Sequence, residues 1–377
     1  MASRPRLLTL LLLLGCGHSE PFTNPDTGTE QPFDPGPPTR LTANPGGDLQ
    51  PAWTADGSGL LYSISDPARQ DRDVCLGLIP AGSDRQSEQW CDVPEGYRRS
   101  DAIYATGPGP DGRTAFLASA TSLTNFNPEH TGIRVAPGTD PNDGTEALHL
   151  PYHRGAGLVN WAGRLHWVEG DRLAYLGQTF KVRQQCHFAC SPPETTITSL
   201  GVELLDLASG VPAALPGTVR ATGLATIADG AVVLYTLAGD SRIYRRNLAS
   251  GEVTVAHDFG AAGIARDLDA AGTRIAAVVG GVVSEDDDPD LGPVQFDLGG
   301  ILHLVDLEDH SDTPIPDASR LYRRPAISPA GDVLVAEGYQ FQVQLLTDPE
   351  TGEQVTDTSI TSSSDLIRYR FIHFGAP

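Results

Sequence analysis

Three Tyr-Arg-Arg triplets stand in the chain, at Tyr97-Arg98-Arg99, Tyr244-Arg245-Arg246 and Tyr322-Arg323-Arg324. Paired guanidiniums can grip a carboxylate or a phosphate bidentately. The first and third triplets precede expected inner strands, which would place them on one face near a channel mouth. Arg98, Arg99, Arg323 and Arg324, with Asp48 and Asp101, are therefore the candidate ligand-binding residues. The competing use of these arginines is pairing with neighbouring carboxylates such as Asp101. A second group is the acidic run of residues 285–290, whose Asp286, Asp287, Asp288 and Asp290 could offer oxygens to a hard cation. It lacks EF-hand spacing and a central glycine, so a solvated loop is the expectation and no metal site is assigned. His149 and His153 are four apart but straddle Pro151, so no helix face presents them together. There is no Gly-x-Ser-x-Gly elbow and no glycine-rich phosphate loop opening a helix. No catalytic residue and no cofactor is assigned on this basis.

The cysteines carry a different chemistry. Arg4 and Arg6 precede a short apolar run, residues 7–14, too short to span a bilayer, and Leu13-Leu14-Gly15-Cys16 follows. This succession resembles a bacterial lipoprotein signal. The resemblance implies cleavage before Cys16 and acylation of that residue, with several acyl chains giving firm anchoring. Gly17 follows the cysteine, and no aspartate there resembles an inner-membrane retention signal, so the outer membrane is the expected address. An even number of further cysteines in an exported chain favours disulfides, here Cys75, Cys91, Cys186 and Cys190. Cys75 and Cys91 lie in successive strand-like runs separated by a polar turn, an arrangement that brings opposed residues within bonding reach. Cys186 and Cys190 could bridge each other or, with His187, hold a metal; no fourth ligand stands at a usual zinc spacing.

The net charge of -22, with Lys181 the only lysine, disfavours binding to phosphate backbones and anionic headgroups. No nucleic-acid partner is expected, and contact with the membrane is expected through the lipid anchor only. Residues 16–38 are rich in Pro, Gly, Thr, Asp and Glu without a period and read as a disordered tether. The expected organisation is a signal peptide over 1–15, the tether over 16–38 and one folded unit over 39–377.

That unit is built on a repeating phrase, clearest in residues 48–65, where a strand ending in Trp53 meets an Asp56-Gly57 turn and an apolar strand follows. Related turns recur at Asp111-Gly112, Gly170-Asp171, Asp229-Gly230, Ala271-Gly272 and Ala330-Gly331, each followed by a strand-like run. Spacings of roughly forty to sixty residues fit propeller blades with varied loops. In the third repeat either residues 158–161 or 165–168 could be the inner strand, and the second alignment is preferred. The phrase PAWTADGSGLLYS, with weaker copies in RPAISPAGDVLVAEG and ATGPGPDGRTAFLAS, resembles the repeat of TolB-type six-bladed β-propellers. The resemblance covers about residues 39–377 and implies an all-β, six-bladed fold. The extra N-terminal domain of TolB has no counterpart in the sequence. Ring closure is expected through pairing of residues near 40–43 with residues 367–374 as the outermost strand of the last blade.

Two functions fit this reading. One is a lipid-anchored binding or scaffold module for a protein, peptide or glycan of the cell envelope. The other is a propeller enzyme, a hydrolase or lyase using carboxylates or histidines of the central channel. A channel blocked by arginine–carboxylate pairs would favour the first, and converging histidine and carboxylate groups with perturbed pKa values the second.

Overall fold

A computed structural model describes residues 34–35, 37–42, 47–65, 74–91, 103–109, 111–121, 128–150, 152–153, 158–183, 194–280, 283–288, 292–297, 299–317, 319–347, 354–360 and 364–372. Among the described residues, six antiparallel sheets of four to six strands follow one another along the chain, with one further two-stranded hairpin. Their inner strands are Asp48–Trp53, Ile103–Pro108, Leu158–Val168, Ala221–Ile227, Ala265–Ala271 and Arg320–Ile327. Each contacts the next, and the last returns to the first. The fold is a six-bladed β-propeller.

The apolar runs after the turns form the second strands, and their composition explains how the blades stack. Leu60, Tyr62 and Ile64 of Gly59–Ser65 pack into the seam with the sixth blade, while Leu61 faces the second blade. Leu173 and Tyr175 face the second blade, whereas Ala174 and Leu176 face the fourth. Successive side chains of a strand point to opposite faces, so a strand buried on both faces reads as a continuous apolar run. Each of the six seams thus has its own apolar core. Leu234→Ala, at a fully buried position in the seam between blades four and five, is expected to lower stability by about 2–5 kcal/mol. Chemical denaturation measures it, and a loss below about 1 kcal/mol would mean that the seam is loosely packed.

The turns behave as their residue types require. Gly57 has φ of 71° and Gly230 has φ of 82°, in the left-handed region that glycine enters without steric cost. A Cβ on Gly230 would also lie 2.5 Å from the Val168 Cα, so this turn is held against the third blade. Asp56 fixes its own turn by accepting hydrogen bonds from the Ser58 backbone NH (3.0 Å) and from the Thr54 and Ser58 hydroxyls, both at 2.7 Å. These bonds, the Ser58 backbone NH first, lower the Asp56 pKa from 3.8 to about 2. A depressed carboxylate contributes stability that is present above 3.8 and is lost as the pH falls towards 2. Thermal melts between pH 6 and 2 are expected to show a shallower acid limb for Asp56→Asn. An unchanged limb would remove this turn from the acid response. The effect is small because the carboxylate is exposed.

The two alternatives for the third inner strand prove to be one strand, Leu158–Val168, interrupted by a register shift between Gly163 and Leu165. The acidic residues 285–288 do not form a loop. They belong to the strand Val283–Asp288, paired with Gly292–Asp297 as a hairpin inserted into the fifth blade; Asp290 lies outside the described residues. Closure involves both ends of the chain, with Thr39 opposite Arg368 and Arg40 opposite Ile367. Pairing also extends into the segment read as tether, where Asp34 and Pro35 lie opposite Ile372 and Phe371. Cys75 and Cys91 form a disulfide with a Cα–Cα distance of 4.3 Å. A closed loop of sequence separation 16 limits the unfolded chain, so Cys75→Ser with Cys91→Ser is expected to lose roughly 3 kcal/mol by denaturant titration. A loss near zero would mean that the bond is strained in the native state. Cys186, Cys190 and Cys16 lie outside the described residues.

Candidate functional site

Every inner strand carries a β-bulge at a comparable height. The register shifts fall between Leu49 and Ala52, Tyr104 and Thr106, Gly163 and Leu165, Ala221 and Gly223, Ala265 and Asp267, and Arg323 and Ala326. A bulge re-aims the residue it frees. Three freed residues, Gln50, Arg164 and Arg324, have φ of 55°, 44° and 48°, a region costly for side chains other than glycine. The ring of bulges marks the waist of the channel.

Arg164 dominates that waist. Its Nε and Nη2 donate to the two carboxylate oxygens of Asp267 at 3.0 and 2.8 Å, and its Nη1 donates to the Pro325 carbonyl at 3.2 Å. Pro325 belongs to the sixth blade, diametrically opposite the third, so Arg164 reaches across the axis. Burial works against the guanidinium charge, but Asp267, Asp269 and Glu337 more than offset it, and the pKa rises. Asp267 also accepts from the Arg324 backbone NH at 3.2 Å. An arginine–carboxylate pair with further hydrogen bonds thus crosses the channel.

Beyond this waist the channel widens into a cavity of about 720 Å³, lined by the ends of the inner strands and the turns that follow them. Trp53 and Trp167 form aromatic walls, and His166 and Asp269 stand near the waist. The Trp53 indole donates to the Ala326 carbonyl at 3.3 Å. The Arg113 guanidinium lies 4.5 Å from the centre of the Trp167 ring and bonds to Asp171 at 2.6 Å, joining the second and third blades at the rim. Burial lowers the His166 pKa, with Asp269 and a hydrogen bond to the Leu224 backbone acting in the opposite sense. The ring is therefore neutral near pH 7 and can accept a proton or a hydrogen bond.

The residues singled out in the sequence are dispersed. Arg98, Arg99 and Asp101 lie outside the described residues. Arg323 and Arg324 lie within the sixth inner strand, not before it, and neither borders the cavity. The Arg323 guanidinium packs over the Tyr339 ring at 4.7 Å, and the Arg324 Nε lies 3.9 Å from Asp267. Asp48 is buried at the closure seam, where its NH donates to the Ser364 carbonyl at 3.1 Å. Arg245 and Arg246 belong to the third strand of blade four, away from the channel. Among the described residues no group of His, Cys, Asp and Glu could hold a metal ion, and no helix is long and apolar enough to cross a membrane.

No family model matches the chain, and no curated protein matches it in sequence. Solved structures do resemble it in shape. TolB from Acinetobacter baumannii is 13% identical over 83% of this chain and 64% of that one, with a TM-score of 0.48. The chain thus corresponds to less than two thirds of that protein's length. A luciferin-regenerating enzyme is 11% identical over 89% of this chain and 95% of its own, with a TM-score of 0.47. An oligogalacturonate lyase from Vibrio parahaemolyticus is 12% identical over 93% and 96%, with a TM-score of 0.45. These likenesses concern shape alone, and the propeller fold stands on the strand pairings themselves.

Proposed function

We propose that this protein is an extracytoplasmic binding module, anchored by acylated Cys16, that presents its channel mouth to a peptide, protein or glycan of the cell envelope. The Arg164–Asp267 pair carries this reading. It crosses the channel at the waist, beside a cavity with aromatic walls and polar groups, the usual composition of a ligand pocket. The disulfide fits an oxidising compartment. Arrays of envelope peptides and glycans, probed with the wild type and with Trp53→Ala, test the reading. Binding is expected with the wild type, weakened in the variant, and the ligand is expected to return with unchanged mass. Equal binding by both proteins would place the ligand elsewhere. For the anchor, Cys16→Ala is expected to abolish partitioning into the detergent phase. A variant that partitions and matures like the wild type would contradict lipidation.

The enzyme reading keeps one specific support, the neutral imidazole of His166 beside Asp269 in the same recess. It requires turnover of an ester, phosphoester or glycoside panel that disappears in His166→Ala.

A further inference from the structure

We infer that the mouth cavity selects an organic cation, such as a guanidinium or primary amine at the end of a basic side chain, held between the Trp53 ring and the Asp269 carboxylate. This rests on the reading of the cavity as the ligand site.

The charges around the cavity point to that ligand. Glu169, Asp171, Asp229 and Asp269 supply carboxylates, and Arg113 and Arg164 supply the guanidiniums. Both guanidiniums are already committed: Arg113 to Asp111 and Asp171, at 2.6 Å each, and Arg164 to Asp267. The charge left to meet a ligand is negative, and an anion would find no uncommitted arginine on this wall. The net charge of the chain, -22, favours the approach of cations at long range.

The rim also contains a working example of the same chemistry. Arg113 lies over the Trp167 ring while its Nη2 bonds to Asp171, so one guanidinium is held between an indole and a carboxylate. Trp53 and Asp269 form a second indole and carboxylate set, in which Asp269 also acts on Arg164 through its charge but makes no ion pair with it among the described residues. They come from the blades flanking the sixth and bond to consecutive residues of its inner strand, Trp53 Nε1 to the Ala326 carbonyl and the Asp269 Oδ2 to the Ile327 NH at 2.9 Å. The two side chains therefore bond to one peptide group from opposite edges of the strand, Trp53 on the side of the first blade and Asp269 on the side of the fifth, and both line the cavity. The second Asp269 oxygen has no other hydrogen bond among the described residues, and His166 adds a neutral acceptor nearby.

Calorimetric titration of the full chain with Nα-acetyl-arginine amide, Nα-acetyl-glutamine amide and Nα-acetyl-glutamate amide tests the inference. The arginine probe is expected to bind best and to be weakened by added salt. Asp269→Asn, which keeps an acceptor for the Ile327 NH, is expected to weaken it about tenfold or more, as removal of one partner of a desolvated charge pair does. Tighter binding of the glutamate probe, or an unchanged affinity in Asp269→Asn, would overturn the cation assignment. If the glutamine or glutamate probe nevertheless binds and is lost in Trp53→Ala, the cavity remains the ligand site. If no probe binds and the arrays are also silent, the cation assignment and the ligand-site reading both fall.

Discussion

Replacing Asp267 by alanine is expected to cost about 3–5 kcal/mol of stability, because it removes the carboxylate to which a buried guanidinium is bonded. The Arg164 side chain is 8% exposed and that of Asp267 12%, so water cannot take over the lost bonds. The loss should exceed that of the double replacement Arg164→Met with Asp267→Leu, in which both charges leave the waist together. A double-mutant cycle by denaturant unfolding separates the coupling from packing losses. A cost below about 1 kcal/mol for Asp267→Ala would show that Arg164 reaches solvent and that the waist is open.

Starting the chain at Asn44 is expected to destabilise the protein by several kcal/mol and to make it self-associate. The truncation removes Leu41, whose side chain is buried and whose NH donates to the Leu366 carbonyl at 2.8 Å. It removes Thr42, whose Oγ1 accepts from the Leu366 NH at 2.9 Å, and the Arg40–Asp365 ion pair at 2.7 Å. One buried leucine contributes about 1.5–3 kcal/mol, and each hydrogen bond about 1 kcal/mol. The strand Asp365–Ile372 would also become an open sheet edge, a template for pairing with another copy. Deleting residues 17–33 is expected to leave the melting temperature unchanged. A monomeric truncation at Asn44 with the full melting temperature would mean that the other blade-to-blade contacts, such as the 2.6 Å bond from the Gln50 NH to Glu337, suffice to close the ring.

The blade pattern was legible because it rests on local chemistry. Positive φ angles at the turns call for glycine, and strands buried on both faces call for unbroken apolar runs. The pairing of Thr39 and Arg40 with the C-terminal strand and the Cys75–Cys91 bond followed from the same reading. The site was not legible, because it rests on bulges and on partners far apart in the chain. Arg164 and Asp267 are 103 residues apart, and nothing in the alternation of the third inner strand indicates that Arg164 turns inwards. His166 and Trp167 stood in plain view within a strand, but their place at the mouth depends on where that strand ends. The Tyr-Arg-Arg triplets show the converse difficulty. In blade six Tyr322 is buried and bonds to Tyr369, while in blade four Tyr244 stacks on Tyr235 at 5.4 Å on a third strand. One sequence phrase thus serves two unlike positions.

On the reading proposed above, the ligand enters at the channel mouth. A photoreactive amino acid placed at Ala55, on the rim of the cavity, tests it most directly, with the same residue at Val211 on the outer edge of blade three as the comparison. Irradiation of intact envelopes is expected to give a defined adduct from Ala55 that Asp269→Asn diminishes, and none from Val211. An adduct from Val211 alone would contradict the claim and move the binding surface to the outer strands.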